Sequence, residues 1–133
     1  MESHFATYKQ VPVHYTISGT NGPAIFLLHG FLESHKMWED ILPLLTTKYK
    51  VISIDLLGHG KSGCVGYCHT MEEYAKAVDA VRKAENLRRV SLVGHSLGGY
   101  VSLAYVDLFP DDVREFCLFQ STSLPDDAQK KSD

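Results

Sequence analysis

The chain predicts an α/β fold, a mostly parallel sheet with flanking helices, and three observations lead there. Short apolar runs at 24–28, 51–54, 90–93 and 116–119 alternate with segments of helical periodicity. Those runs are unbroken rather than alternating, as in strands covered on both faces. Lastly, Val90-Ser91-Leu92-Val93-Gly94-His95-Ser96-Leu97-Gly98-Gly99 passes from an apolar run through Gly-x-Ser-x-Gly into an amphipathic stretch. That order reads as a buried strand, a sharp bend and the first turn of a helix. At 133 residues the chain is at most one domain and is long enough to bury a core.

The elements follow in order. Val11-Pro12-Val13-His14-Tyr15-Thr16-Ile17 alternates, and Ser18-Gly19-Thr20-Asn21-Gly22-Pro23 is a turn cluster. Together they predict an antiparallel hairpin edge leading into the strand at 24–28. Trp38, Ile41, Leu42 and Leu45 recur at helical spacing, but Pro43 divides them into two short turns. The run at 51–54 is the next buried strand. Thr70-Met71-Glu72-Glu73 has the form of a capping box, and Met71, Tyr74, Ala75, Val78 and Val81 make the apolar face of the helix it opens. After the serine bend, Val101, Ala104, Tyr105 and Leu108 form a second apolar face, which Pro110 ends. The run at 116–119 predicts another strand covered on both faces. Pro125-Asp126-Asp127, with Lys130 and Lys131 one turn later, has the form of a helix start. Residues 1–120 are therefore expected to form the core portion, and 121–133 the start of a cap or linker.

Composition narrows the function. A net charge of −3 with interspersed signs gives no electrostatic reason to expect nucleic acid or an anionic membrane. No apolar run approaches the ~20 residues that span a bilayer, so a soluble protein is expected. Met1-Glu2-Ser3-His4 has neither the basic start nor the apolar core of a signal peptide. Cys64, Cys68 and Cys117 are an odd set without zinc-type spacing to histidines. Reduced thiols in a cytoplasmic protein, with no metal and no cofactor, are the expectation.

Several motifs carry a resemblance. Phe26-Leu27-Leu28-His29-Gly30-Phe31 resembles the third strand and His-Gly-x oxyanion loop of the α/β-hydrolase family. Asp55-Leu56-Leu57-Gly58-His59-Gly60-Lys61-Ser62 resembles its Asp-x-x-Gly-x-Gly-x-Ser loop, and the residues from Gly94 to Gly98 its nucleophile elbow. They occur in the family's order over residues 11–120. The resemblance implies the family's first six strands, with its cap and its seventh and eighth strands absent.

It also implies roles. Ser96 is the expected nucleophile, and the backbone N–H groups of Phe31 and Leu97 are the expected oxyanion donors. His29, Gly30, Gly94, His95 and Gly98 are supporting residues. Two readings of His29 stand: it braces its loop by hydrogen bonding, or it transfers protons. Serine at the elbow argues against the dehalogenase and epoxide-hydrolase branches, which place aspartate there. A small-molecule substrate with an ester-like or C–C bond is the resulting expectation.

Proton handling is harder to find. In the family the nucleophile is followed by an acid and then by the histidine, yet all seven histidines here precede Ser96. His59 is either a surrogate base or an ordinary loop residue. Asp126 and Asp127 are either an early-placed acid or solvated helix-start carboxylates, and Asp55 is read as ordering its own loop. Loss of the histidine alone costs about 10⁶ in kcat, so little turnover is expected from these residues alone. Two classes remain open at this point: part of a serine hydrolase, or a non-catalytic short form that binds a partner or small molecule. Either way, the strand at 116–119 presents a bare edge. The expected partner is a separate C-terminal portion, or a second copy of the chain through that edge.

Overall fold

The structure, a computed structural model, describes residues 2–19, 21–66 and 69–119. The first strand was not legible in the sequence. β1 (Glu2–Tyr8) pairs antiparallel with β2 (Val11–Ser18) across Lys9 and Gln10. Both of these residues have positive φ, 47° and 69°, the geometry that matches a two-residue turn to strand twist. β2 pairs antiparallel with β4 (Lys50–Ile54) and is not adjacent to β3 (Ala24–Leu28). The expected hairpin edge is thus real, but its partner precedes it. The turn cluster at 18–23 instead connects two strands that do not touch.

β3 lies between β4 and β5 (Val90–His95), parallel to both, and β6 (Val113–Phe119) runs parallel to β5. The described residues form one six-stranded sheet in the order β1-β2-β4-β3-β5-β6. All five residues of β3 are buried because both faces are covered. Phe26 and Leu28 join the cluster built on α2 (Met71–Ala84) and α3 (Leu97–Leu108), while Ile25 and Leu27 pack with Trp38, Leu42 and Val51. The second face is covered by the two short turns that Pro43 predicts. One is a 3₁₀ turn over His35–Trp38, capped by Ser34; the other is α1 (Leu42–Leu45). Proline sits in the first turn of α1, where its lack of an N–H costs little.

The capping box at α2 is half made. Thr70 Oγ1 accepts from the Glu73 amide at 3.0 Å, as an N-cap should. The Glu73 carboxylate does not reach back to Thr70. It accepts from the Tyr8 hydroxyl and, at 3.1 Å, from Lys9 Nζ, which ties α2 to the β1–β2 hairpin. α2 and α3 are joined through buried Asp79, which accepts from the Tyr105 hydroxyl at 2.7 Å and Arg82 Nε at 2.6 Å. Burial, reinforced by that carboxylate, pushes the Tyr105 phenol up, so it remains a donor.

β6 requires a correction. Its apolar residues predicted a strand covered on both faces, but it begins three residues earlier than the run at 116–119 and lies at the sheet edge. Phe116, Leu118 and Phe119 are 44%, 40% and 56% exposed. Six of the seven β6 residues are exposed, because β5 pairs along only one edge of the strand and α3 leaves its faces largely open. Residues 121–133, with Asp126 and Asp127, lie outside the described residues.

Candidate functional site

Loops from the carboxyl ends of β3, β4 and β5 meet on one rim of the sheet, where open parallel sheets form their binding crevices. The bend between β5 and α3 is the sharpest feature. Ser96 holds φ 57° and ψ −113°, a backbone state that non-glycine residues rarely adopt. Its side chain is exposed. The flanking glycines are required by contact. A Cβ at Gly94 would lie 2.3 Å from the Gly98 carbonyl oxygen, and one at Gly98 would lie 2.0 Å from that of Leu28. α3 is thus pressed against β5 and β3 without side chains between them, and Ser96 is lifted over the rim. Leu97 opens α3, so its N–H belongs to the first turn, whose amides have no intrahelical acceptor.

The loop after β3 is braced from below. Buried His29 donates from Nδ1 to the Gly30 carbonyl at 2.7 Å and accepts at Nε2 from the Leu56 amide at 2.9 Å. Burial pushes its pKa down, and both ring nitrogens are engaged as a neutral imidazole requires. His29 thus bridges the loops after β3 and β4 through both ring nitrogens. Phe31 is 65% exposed at the loop tip. Its ring meets His59 edge-on at a centroid distance of 5.7 Å. His59 donates to the Leu57 carbonyl at 3.0 Å and packs against His29. Its Nε2 is buried without a hydrogen-bond partner among the described residues.

Asp55 organises the loop after β4. Its carboxylate takes four hydrogen bonds: the His35 amide at 2.7 Å, His35 Nδ1 and His14 Nδ1 at 2.8 Å, and the Lys61 amide at 3.0 Å. Burial raises its pKa, but these four donors outweigh burial and hold the carboxyl below its usual range. Gly60, at φ 53°, leaves room for it; a Cβ there would lie 2.3 Å from the Asp55 Cγ. Ser62 closes the loop, donating to the Asp55 carbonyl at 2.6 Å and accepting from the His14 amide at 2.8 Å. His14, His35 and Asp55 offer ligand atoms within 4.8 Å of one another. However, an ionised carboxylate needs both imidazole nitrogens to bring hydrogens to it. The arrangement fits a hydrogen-bonded clamp, and a cation would have to displace it.

A family model described as the alpha/beta hydrolase fold matches residues 23–132. The chain belongs to the alpha/beta hydrolase family. Among curated relatives, a 2-hydroxy-6-oxo-6-(2'-aminophenyl)hexa-2,4-dienoic acid hydrolase of Metapseudomonas resinovorans is 32% identical over 124 residues, covering 90% of this chain and 42% of that protein. A hydrolase from Pseudomonas aeruginosa superposes with a TM-score of 0.85 at 28% identity, covering 96% of this chain and 49% of that one. Naproxen esterase from Bacillus subtilis superposes with a TM-score of 0.80 at 26% identity, covering 86% and 41%. The chain spans between 28% and 42% of the length of the curated relatives it matches.

Within this alpha/beta hydrolase fold, the loop after β3 and the serine bend come together at Gly30. A Cβ there would lie 3.0 Å from His95 Nδ1 and 3.4 Å from Ser96 Cβ. His95 turns toward the β3 loop and β6, with its ring 5.9 Å from that of Phe119. Two participants went unread in the sequence. His35 meets Asp55 only because the β3–α1 connection folds across the β4 end. Glu33 supplies a carboxylate to Gly30, and its one sequence signal is the three-residue spacing from that glycine. No described helix is long and apolar enough to cross a membrane.

Proposed function

We propose that this chain carries the nucleophile and oxyanion portion of a serine hydrolase acting on an ester-like or C–C bond in a small molecule. The observation that carries the reading is Ser96 itself, an exposed serine held at φ 57° between two glycines that cannot take a side chain. Strain of this kind persists where the surrounding fold over-determines it, and it concentrates at functional sites. The hydroxyl oxygen attacks the substrate carbonyl carbon while its proton passes to a base. The carbonyl electron pair moves onto oxygen, which the backbone N–H groups of Phe31 and Leu97 stabilise by ~3 kcal/mol each. The leaving group departs with the proton, and water repeats the sequence to free Ser96. The hexadienoic acid hydrolase and the esterase among its relatives agree with this substrate range.

On this reading the base is supplied from outside these 133 residues. All seven histidines precede Ser96, and the resembled order needs one after it. The second reading, in which these residues bind without turnover, needs no base. A fluorophosphonate probe separates them. In the presence of a C-terminal portion carrying an acid and a histidine, the probe is expected to label the chain, and Ser96→Ala abolishes labelling. Unchanged labelling of the Ala variant overturns the nucleophile assignment; absence of labelling in every combination favours binding without turnover.

A further inference from the structure

We infer that Glu33 is the positioning residue of the oxyanion loop, clasping Gly30 and lying against His95 so that the Phe31 N–H is held in fixed register with Ser96. This rests on the nucleophile reading above. The four residues from Gly30 to Glu33 form a turn closed by the Glu33 amide on the Gly30 carbonyl at 3.2 Å. The Glu33 side chain returns to the same residue: Oε1 accepts from the Gly30 N–H at 3.0 Å. Both polar groups of Gly30 are therefore tied to Glu33, and His29 adds a second bond to the carbonyl.

The consequence follows from peptide planarity. The Gly30 carbonyl and the Phe31 N–H share one planar trans unit, so fixing the oxygen fixes the N–H in the opposite direction. Fixing the Gly30 N–H as well removes rotation of the preceding unit. The loop needs such restraint because Leu32, 80% exposed, sits at φ 64° with little packing of its own. A leucine in that region is held only by its surroundings.

The same carboxylate oxygen lies 3.4 Å from His95 Nδ1. That approach is a packing contact rather than a hydrogen bond, and since His95 precedes Ser96 it sets the clasped loop directly against the serine bend. The point where these groups converge is Gly30, where a Cβ would stand 2.5 Å from Glu33 Oε1. A free carboxylate beside a developing oxyanion would oppose it. Oε1 is instead engaged by the Gly30 N–H and serves as a brace.

The test pairs Gly30 amide hydrogen exchange, read by NMR on the full chain, with fluorophosphonate labelling of Ser96. Glu33→Ala is expected to speed Gly30 exchange by about 10-fold, as loss of one charge-assisted hydrogen bond does. The amides of Phe26 and Leu27 are expected to hold their rates, which distinguishes loosening of the loop from general destabilisation. Glu33→Gln keeps an acceptor oxygen and is expected to stay within about 3-fold of the parent, because a neutral acceptor retains part of the bond. Glu33→Asp is too short to reach Gly30 and is expected to resemble Ala, which covers the case in which the Ala variant does not fold. Labelling rates should fall in the order parent, Gln, then Asp and Ala. Gly30 exchange within about 2-fold of the parent in the folded Asp and Ala variants overturns the clasp, since a bond worth that little positions nothing. Labelling is read with a C-terminal portion carrying an acid and a histidine present; a parent that takes no label there overturns the nucleophile reading, and the exchange data then decide the clasp independently.

Discussion

His35 binds Asp55 twice, through its backbone amide at 2.7 Å and its Nδ1 at 2.8 Å, so one residue from the loop after β3 holds a carboxylate from the end of β4. With His14 and Lys61 on the other oxygen, this contact joins β2 and the loops after β3 and β4 in one buried knot. Asp55→Asn replaces an acceptor oxygen with an amide donor facing donors. It is expected to cost about 3 kcal/mol at pH 7, the scale for losing buried hydrogen bonds to a charged group, measured as a lower urea midpoint with unchanged slope.

The pH dependence has a definite sign. The folded Asp55 carboxyl binds its proton more weakly than in the unfolded chain. Its stabilisation is therefore complete above about pH 4, the unfolded value, and is lost as pH falls through the lowered folded value. Urea midpoints of the parent are expected to drop across that acid window more steeply than those of Asp55→Asn. Parallel acid limbs would show that Asp55 is not the group responsible.

Ser96→Gly should stabilise the chain. Glycine tolerates positive φ that costs serine of the order of 1 kcal/mol. An increase in thermal midpoint, together with loss of probe labelling, is the expected pair of results. Destabilisation would mean that the bend is not strained at Ser96.

Phe31 separates backbone from side-chain chemistry. In a protein completed by its base, Phe31→Ala is expected to retain some activity, whereas Phe31→Pro removes the N–H and loses about 10²–10³ in kcat. A folded Pro variant with full kcat places the donor elsewhere.

The free edge of β6 predicts association. Phe116, Leu118 and Phe119 are exposed on a strand whose outer hydrogen-bonding groups face no described strand. Such an edge is a template for pairing. We propose that the chain pairs there with a separate C-terminal portion or, lacking it, with a second copy. Sedimentation of material confirmed by mass to hold only these residues is expected to give species larger than a monomer. A monodisperse, cooperatively unfolding monomer at micromolar concentration would count against it.

What the sequence by itself determined is what short-range sterics and periodicity control. The unbroken run at 24–28 specified a doubly covered strand, Pro43 divided the α1 region, and Thr70 capped α2. Gly94 and Gly98 bounded a bend that only small residues permit. These outcomes depend on neighbours within a few positions along the chain. Tertiary structure decided which distant groups meet. Thr70 capped α2 locally, yet the Glu73 carboxylate went to Tyr8 and Lys9 because β1 lies beside α2. Asp55 found His14 and His35 only through the strand order that seats β4 between β2 and β3. Glu33 reached His95 because β3 and β5 are neighbours, and the apolar residues of β6 are exposed because that strand lies at the sheet edge. Periodicity marks a residue as strand or helix, but side chains converge, and faces become covered, only through pairing and register.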